Sequence, residues 1–262
     1  QLSRLGKFDD PTLEKAMQSV LPAPEQWHYN SHIIFERDNS GALGLRRIDG
    51  RSIEPIQECH VLHPDLQQLY TNIEIDYPQM ERLALWRGSD GKTMLIITMR
   101  EEDAPELMTD LPTSVNVLLP DNEPVNLLGE TVVRYEVGGR TFRMTAGGTF
   151  RANVSQIEPL IQTVLQFLNL QGNENVLDLY AGVGVFSAFL APRAQLVTMV
   201  ESYPPMATDA EENLSDLDNV DIVEGSVEEV LHSVQEGEET YHAAVIDPSG
   251  RGMSKEALAG LL

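Results

Sequence analysis

The chain has 262 residues, enough for a sizeable buried core in one large or two modest domains, and 18 basic against 41 acidic side chains give it a formal charge of −23. A single cysteine, Cys59, excludes an internal disulfide framework and a self-contained cysteine site for zinc. The apolar runs are far too short for a bilayer span and no signal-like N-terminus is visible, so a cytoplasmic protein with no membrane partner is expected; the acid excess repels phosphates and opposes nucleic-acid binding by this segment.

In chain order, residues 1–20 read as a helix ending before Pro22 and Pro24. Strands are predicted over 31–35 and 41–47, joined by a turn at Asp38-Asn39-Ser40-Gly41. An extended run over 56–62 and a helix over 65–72 follow. Residues 83–86 and 93–98 read as a hairpin around Gly88-Ser89-Asp90-Gly91, and 115–119 and 131–137 as further strands. The rhythm then changes. A helix over 155–167 precedes strand 175–180, helix 185–191, strand 195–201, helix 205–217, strand 220–224, helix 226–234, strand 243–247 and helix 254–261. Such alternation predicts a parallel, doubly wound sheet. The expected organisation is an α+β domain over 1–137 and an α/β domain over 138–262, divided near Gly138-Gly139. Strand 243–247 would be an apolar sheet edge, so a continuation of the chain or a partner is expected to cover it. The acid-rich stretch 201–239 reads as solvated helix faces. The histidines, His28, His32, His60, His63, His232 and His242, show no metal-ligand spacing on one helix.

The most informative segment runs Val176-Leu177-Asp178-Leu179-Tyr180-Ala181-Gly182-Val183-Gly184-Val185-Phe186-Ser187. It reads as an apolar strand, a glycine turn and the first turn of a helix, which brings backbone N–H groups close to a ligand at a helix N-terminus. Glu201 follows 17 positions after Gly184, at the end of another apolar run, where a carboxylate can accept hydrogen bonds from both hydroxyls of a ribose. The third glycine of the dinucleotide fingerprint is absent.

This D-x-x-x-G-x-G pattern resembles the first motif of class I methyltransferases, which bind S-adenosylmethionine. The resemblance implies that Asp178 orients the loop and helps hold the methionine moiety. Tyr180, Gly182 and Gly184 would cradle the cofactor, and Glu201 would hold its ribose. A narrower resemblance is carried by Phe142 through Asn153, by Val200-Glu201, by Asn219-Val220 and by Asp247-Pro248. In the first half it is carried by Trp27 with Tyr29-Asn30 and by Glu58-Cys59-His60-Val61-Leu62. Together these are similar to the RNA uracil-C5 methyltransferases, which make 5-methyluridine in rRNA or tRNA, over nearly the whole chain.

That resemblance implies a Rossmann-like class I methyltransferase sheet, incomplete at its C-terminal side, preceded by an α+β central domain. It implies an RNA partner, against the charge; salt adaptation, or RNA contacts outside the segment, would reconcile the two. In the family a cysteine after the D-P-P-R motif adds to C6 of uracil and activates C5, and a later glutamate removes the C5 proton. Neither falls within these residues, so the segment by itself is expected to bind cofactor without catalysing. Asp247 matches the family's residue at the target-base pocket. Cys59 matches the fourth ligand of the [4Fe-4S] cluster that many members carry, whose other three ligands lie upstream of this segment, so the cluster would be completed only in the full-length protein; a small buried apolar role is the alternative. Arg151 stands where the family has a cofactor-contacting glutamine and is a candidate for the methionine carboxylate. Ser226 stands where an acidic residue often meets the adenosine. The D-P-P-R-x-G motif reads Asp247-Pro248-Ser249-Gly250-Arg251-Gly252, with its arginine displaced by one. Two other readings stand beside this one: a divergent, non-catalytic homologue that binds a nucleoside or a protein partner, and a methyltransferase with a non-RNA substrate.

Overall fold

The structure, a computed structural model, describes residues 7–38, 40–75, 77–102, 110–237, 240–250 and 252–261. Residues 1–6 of the expected first helix, Asn39 of the expected turn, residues 238–239 and Arg251 lie outside the described residues.

The N-terminal helix is shorter than its sequence suggests. Helix α1 covers Asp10–Ala16; the Asp9 carboxylate accepts the Thr12 N–H at 2.7 Å and Pro11 fills the first turn. Seven strands then form one sheet: β1 (His32–Arg37), β2 (Leu43–Arg46), β3 (Ile53–Pro55), β4 (Met80–Arg87), β5 (Thr93–Met99), β6 (Ser114–Leu118) and β7 (Pro124–Leu128). Their order is β3-β2-β1-β4-β5-β6-β7, and every pair is antiparallel except β5–β6. The central strands β4 and β5 are apolar almost throughout because both faces are covered. Leu83, Leu85, Leu95 and Ile97 meet α2 (Pro64–Thr71) through Leu66 and Leu69, whereas Ala84, Trp86, Met94 and Ile96 join the core shared with the second half. His32 belongs to that covered face. Its ring stacks on Trp86 with centroids 4.0 Å apart, and burial pushes its pKa down to about 4.

Two expectations are corrected here. The run 56–62, read as extended, forms no strand beyond a single bridge between Leu62 and Asn30: α2 holds its first part, and the carbonyls of His60 and Val61 accept the N–H groups of His28 and Asn30 at 3.0 and 2.8 Å. The Gln67 side chain accepts the Cys59 N–H at 2.9 Å and donates to the Gln57 carbonyl at 3.0 Å, and the Tyr70 hydroxyl donates to the Ile56 carbonyl at 2.8 Å. The pair Gly138-Gly139, read as a boundary, is the turn of a hairpin between β8 (Val132–Val137) and β9 (Arg140–Thr145). Both glycines have positive φ, +54° and +80°, as a tight two-residue hairpin turn requires. A division at 137/138 therefore cuts a paired two-stranded sheet.

After a 3-10 turn at Val154–Gln156 comes α3 (Ile157–Leu168). Four parallel strands follow, β10 (Asn175–Leu179), β11 (Leu196–Glu201), β12 (Val220–Glu224) and β13 (Ala243–Ile246). They alternate with α4 (Val185–Leu190), α5 (Pro204–Asn213), α6 (Val227–Glu236) and α7 (Lys255–Leu261). The sheet order is β12-β11-β10-β13, with β13 at the edge among the described residues. The chain thus steps outward from β10 on one side through β11 and β12, then returns to pair β13 on the other. That reversal lies beside β10, and in open α/β sheets ligands bind at the strand ends where it occurs. Alternate residues feed opposite cores: Val176, Val197 and Met199 face the hairpin and the first half, and Leu177, Leu179 and Val200 face α6 and α7.

Candidate functional site

The cleft at this switch point has a volume of about 540 Å³. It is walled by three strand ends, Tyr180 to Val183 after β10, Glu201 to Tyr203 after β11 and Asp247 to Ser249 after β13, and by Gly147 and Thr149 to Arg151. Val185, Phe186, Ile157 and Met206 give it apolar flanks, and the size is that of a small-molecule site.

The loop after β10 has an unusual backbone. Tyr180, Gly182 and Gly184 all have left-handed φ, at +62°, +61° and +83°. For tyrosine this is a rare and strained conformation, of the kind that concentrates at functional sites. At Gly184, which caps α4, a Cβ would come 2.7 Å from Leu214 Cδ1; at Gly182 it would come 3.0 Å from Met206 Cε. At both positions the positive φ disfavours a side chain, and at Gly184 a Cβ would also have to displace Leu214.

Glu201 holds this loop. Its Oε2 accepts the Gly182 N–H at 2.9 Å and its Oε1 accepts the Tyr203 N–H at 2.7 Å. Each carboxylate oxygen keeps a further lone pair for a hydroxyl in the cleft. Asp178 lies beneath, fully buried. One oxygen accepts the Ser187 N–H at 2.9 Å and the Ser187 hydroxyl at 2.7 Å, which ties β10 to the first turn of α4. The other, Oδ1, is buried without a partner. Burial pushes the Asp178 carboxyl up to about 7, the Ser187 bonds oppose the rise, and the nearby Asp247 and Glu201 charges add to it.

Arg151 and Asp247, 96 positions apart in sequence, meet at the cleft with Arg151 Nη2 2.5 Å from Asp247 Oδ2. Arg151 is the only cationic side chain among the described residues lining the cleft.

The structure therefore brings together Arg151, Tyr180, Gly182, Gly184, Glu201 and Asp247, with Asp178 directly below them. It does not bring in Ser226. That residue caps α6: its hydroxyl donates to Glu229 Oε2 at 2.7 Å and accepts the Glu229 N–H at 3.3 Å, and it does not line the cleft. Cys59 is also elsewhere, half-buried against the core of the seven-stranded sheet. Among the described residues no three metal-ligating side chains cluster, and the resemblance puts the other three cluster ligands outside this segment.

Two residues that shape the site escape sequence reasoning, Tyr203 in its wall and Asn213 behind it. Tyr203 lines the cleft, and its hydroxyl donates to the Asn122 carbonyl, 2.8 Å away in the β6–β7 loop. Asn213, at the end of α5, donates to the carbonyls of Val183 at 3.0 Å and Arg143 at 3.1 Å and accepts the Arg143 N–H at 2.9 Å. It thereby clamps the glycine loop to β9. Asp209 reinforces this clamp by accepting the Thr145 N–H at 2.5 Å and by pairing with Arg143. Tyr203 has a weak sequence signal, two residues beyond an acidic strand end; the partners of Asn213 have none.

The parallel sheet, its reversal and the glycine loop with acidic strand ends define a class I methyltransferase fold. Residues 149–229 match the ribosomal RNA adenine dimethylase family. An uncharacterized RNA methyltransferase of Streptomyces avermitilis is 30% identical over 259 residues, covering 97% of this chain and 59% of that protein. The 23S rRNA (uracil(1939)-C(5))-methyltransferase RlmD of Vibrio parahaemolyticus is 25% identical, over 81% of this chain and 51% of its own length. The crystal structure of Pyrococcus abyssi tRNA (uracil-54, C5)-methyltransferase in complex with S-adenosyl-L-homocysteine superposes with a TM-score of 0.65. It shares 18% identity and covers 92% of this chain and 65% of that one. The chain is thus similar to RNA methyltransferases over nearly its whole length, and spans between half and two thirds of the length of these relatives.

Proposed function

We propose that this chain is the cofactor-binding and central portion of an S-adenosylmethionine-dependent methyltransferase acting at C5 of uridine in rRNA or tRNA. The observation that carries the cofactor assignment is the cleft beside β10, where a two-glycine loop, an orphaned buried carboxylate oxygen and an acidic strand end converge. When bound, S-adenosylmethionine supplies an electrophilic methyl group on a sulfonium. Glu201 would accept the ribose hydroxyls with its remaining lone pairs. Gly182 and Gly184 let the loop backbone approach the ligand, and Asp178 holds the strand-to-helix geometry through Ser187. Asp247 also lines the cleft, and the resemblance assigns it to the target base. The uridine-C5 assignment is supported by the sequence resemblance and by the printed specificities of two relatives. No thiol of this chain lines the cleft among the described residues, so addition to C6 is assigned to none of its residues.

Calorimetry with S-adenosylhomocysteine tests the cofactor assignment. Glu201→Gln is expected to weaken binding by roughly tenfold or more, since it removes a charged acceptor. Equal affinities would remove Glu201 from the site. Transfer of labelled methyl groups to RNA by protein carrying this chain, read by nucleoside mass spectrometry, tests the substrate; label in any nucleoside but 5-methyluridine would overturn the uridine assignment.

A further inference from the structure

The cleft is electrostatically lopsided. Glu201 and Asp247 line it, and their charges raise the proton affinity of Asp178, buried beneath. Against these two lining carboxylates stands one cation among the described lining residues, Arg151, and it is held by Asp247 at 2.5 Å. The pair is about half exposed, so the guanidinium can leave one carboxylate for another at little desolvation cost. Both partners sit on loops, Arg151 between β9 and α3 and Asp247 just after β13.

On the cofactor reading given above, we propose that Arg151 is a shared cation. It bonds Asp247 as seen here, and it transfers to the α-carboxylate of a bound amino-acid-bearing nucleoside, which releases Asp247 to accept from the second substrate. A guanidinium suits this exchange because its donors lie in a planar fork that matches any carboxylate. The consequence is ordered use of the cleft. The ligand's carboxylate competes with Asp247 for Arg151, and Asp247 becomes an available acceptor once the amino-acid end is filled.

The test compares S-adenosylhomocysteine, which carries the carboxylate, with 5′-methylthioadenosine, which lacks the whole amino-acid tail. Calorimetry would be run on the unaltered chain, Arg151→Met and Asp247→Asn, with melting curves confirming that each variant is folded. Arg151→Met is expected to lose roughly tenfold or more in affinity for S-adenosylhomocysteine and little for methylthioadenosine. Asp247→Asn removes the competitor and is expected to tighten S-adenosylhomocysteine alone, by a few-fold. An unchanged ratio of the two affinities in Arg151→Met would overturn the proposal. So would weakened S-adenosylhomocysteine binding in Asp247→Asn, because Asp247 would then be a ligand contact rather than a competitor. If the unaltered chain binds neither nucleoside, the cofactor reading itself fails; binding of both with unaltered ratios defeats only the shared cation.

Discussion

Asp178 is completely buried with one oxygen unpartnered, and its carboxyl titrates near 7. Between the ordinary carboxylate value, about 4, and about 7 the folded chain keeps a proton that the unfolded chain has released, so this group makes stability fall as pH rises through that window. Asp178→Asn removes the dependence. The melting temperature of the variant relative to the unaltered protein is expected to rise from about pH 4 to about pH 7 and then level off; a difference independent of pH would show that Asp178 is not held protonated. Gly184 offers a second residue-scale test. Alanine there must adopt a left-handed φ and also meet Leu214, whereas alanine at Gly139, with φ +80°, meets nothing within 4 Å. Gly139→Ala is expected to cost about 1 kcal/mol, and Gly184→Ala about 2–3 kcal/mol, measured by denaturant unfolding. The role of Gly184 was legible because a D-x-x-x-G-x-G turn after an apolar strand has few other uses. The bond between Arg151 and Asp247 was not, since nothing local relates residues 96 positions apart.

At the scale of elements, the alternating second half followed its sequence closely. Strands β10, β11 and β13 are short, largely apolar runs and β12 mixes apolar with exposed acidic residues, so each signal is local. Elements were missed where the signal was ambiguous. Strand β7 opens on a proline and holds a polar Asn126, and Gly138-Gly139 serves equally as a linker or a hairpin turn. Ser226 was misread for a related reason. A small polar residue at a strand end suits a ligand or a helix cap, and the Glu229 three positions later decides for the capping box. Ser226→Ala is therefore expected to cost about 1 kcal/mol of stability and to leave S-adenosylhomocysteine affinity within about twofold. A large loss of affinity would return Ser226 to the site. Asn213→Ala should behave in the opposite way: by freeing the Val183 carbonyl from its clamp it loosens the glycine loop, and weakened nucleoside binding is expected alongside about 1–3 kcal/mol of destabilisation.

For the whole molecule, charge is the dominant variable. Among the described residues several cations pair with neighbouring carboxylates: Arg46 with Glu36, Arg87 with Asp65, Arg140 with Asp216, Arg143 with Asp209, and Lys92 and Arg134 both with Glu130. Carboxylates far outnumber cations, so the net charge of −23 repels phosphates and repels itself. Raising KCl from about 0.1 M to about 1 M is expected to increase the melting temperature, and RNA retention by this chain is expected to be weak at the lower salt. A melting temperature that falls with salt would show that the ion pairs outweigh the self-repulsion. The sequence by itself determined the class of fold, the glycine loop and the acidic strand end, because each rests on a few neighbouring residues whose backbone needs are local. Only the tertiary structure decided that Glu201 also grips the loop, that Asn213 clamps it to β9, that Ser226 and Cys59 stand apart, and that Arg151 faces Asp247. Each of those depends on which loops the reversal of strand order beside β10 brings to the same end of the sheet, and that is a property of how distant segments pack.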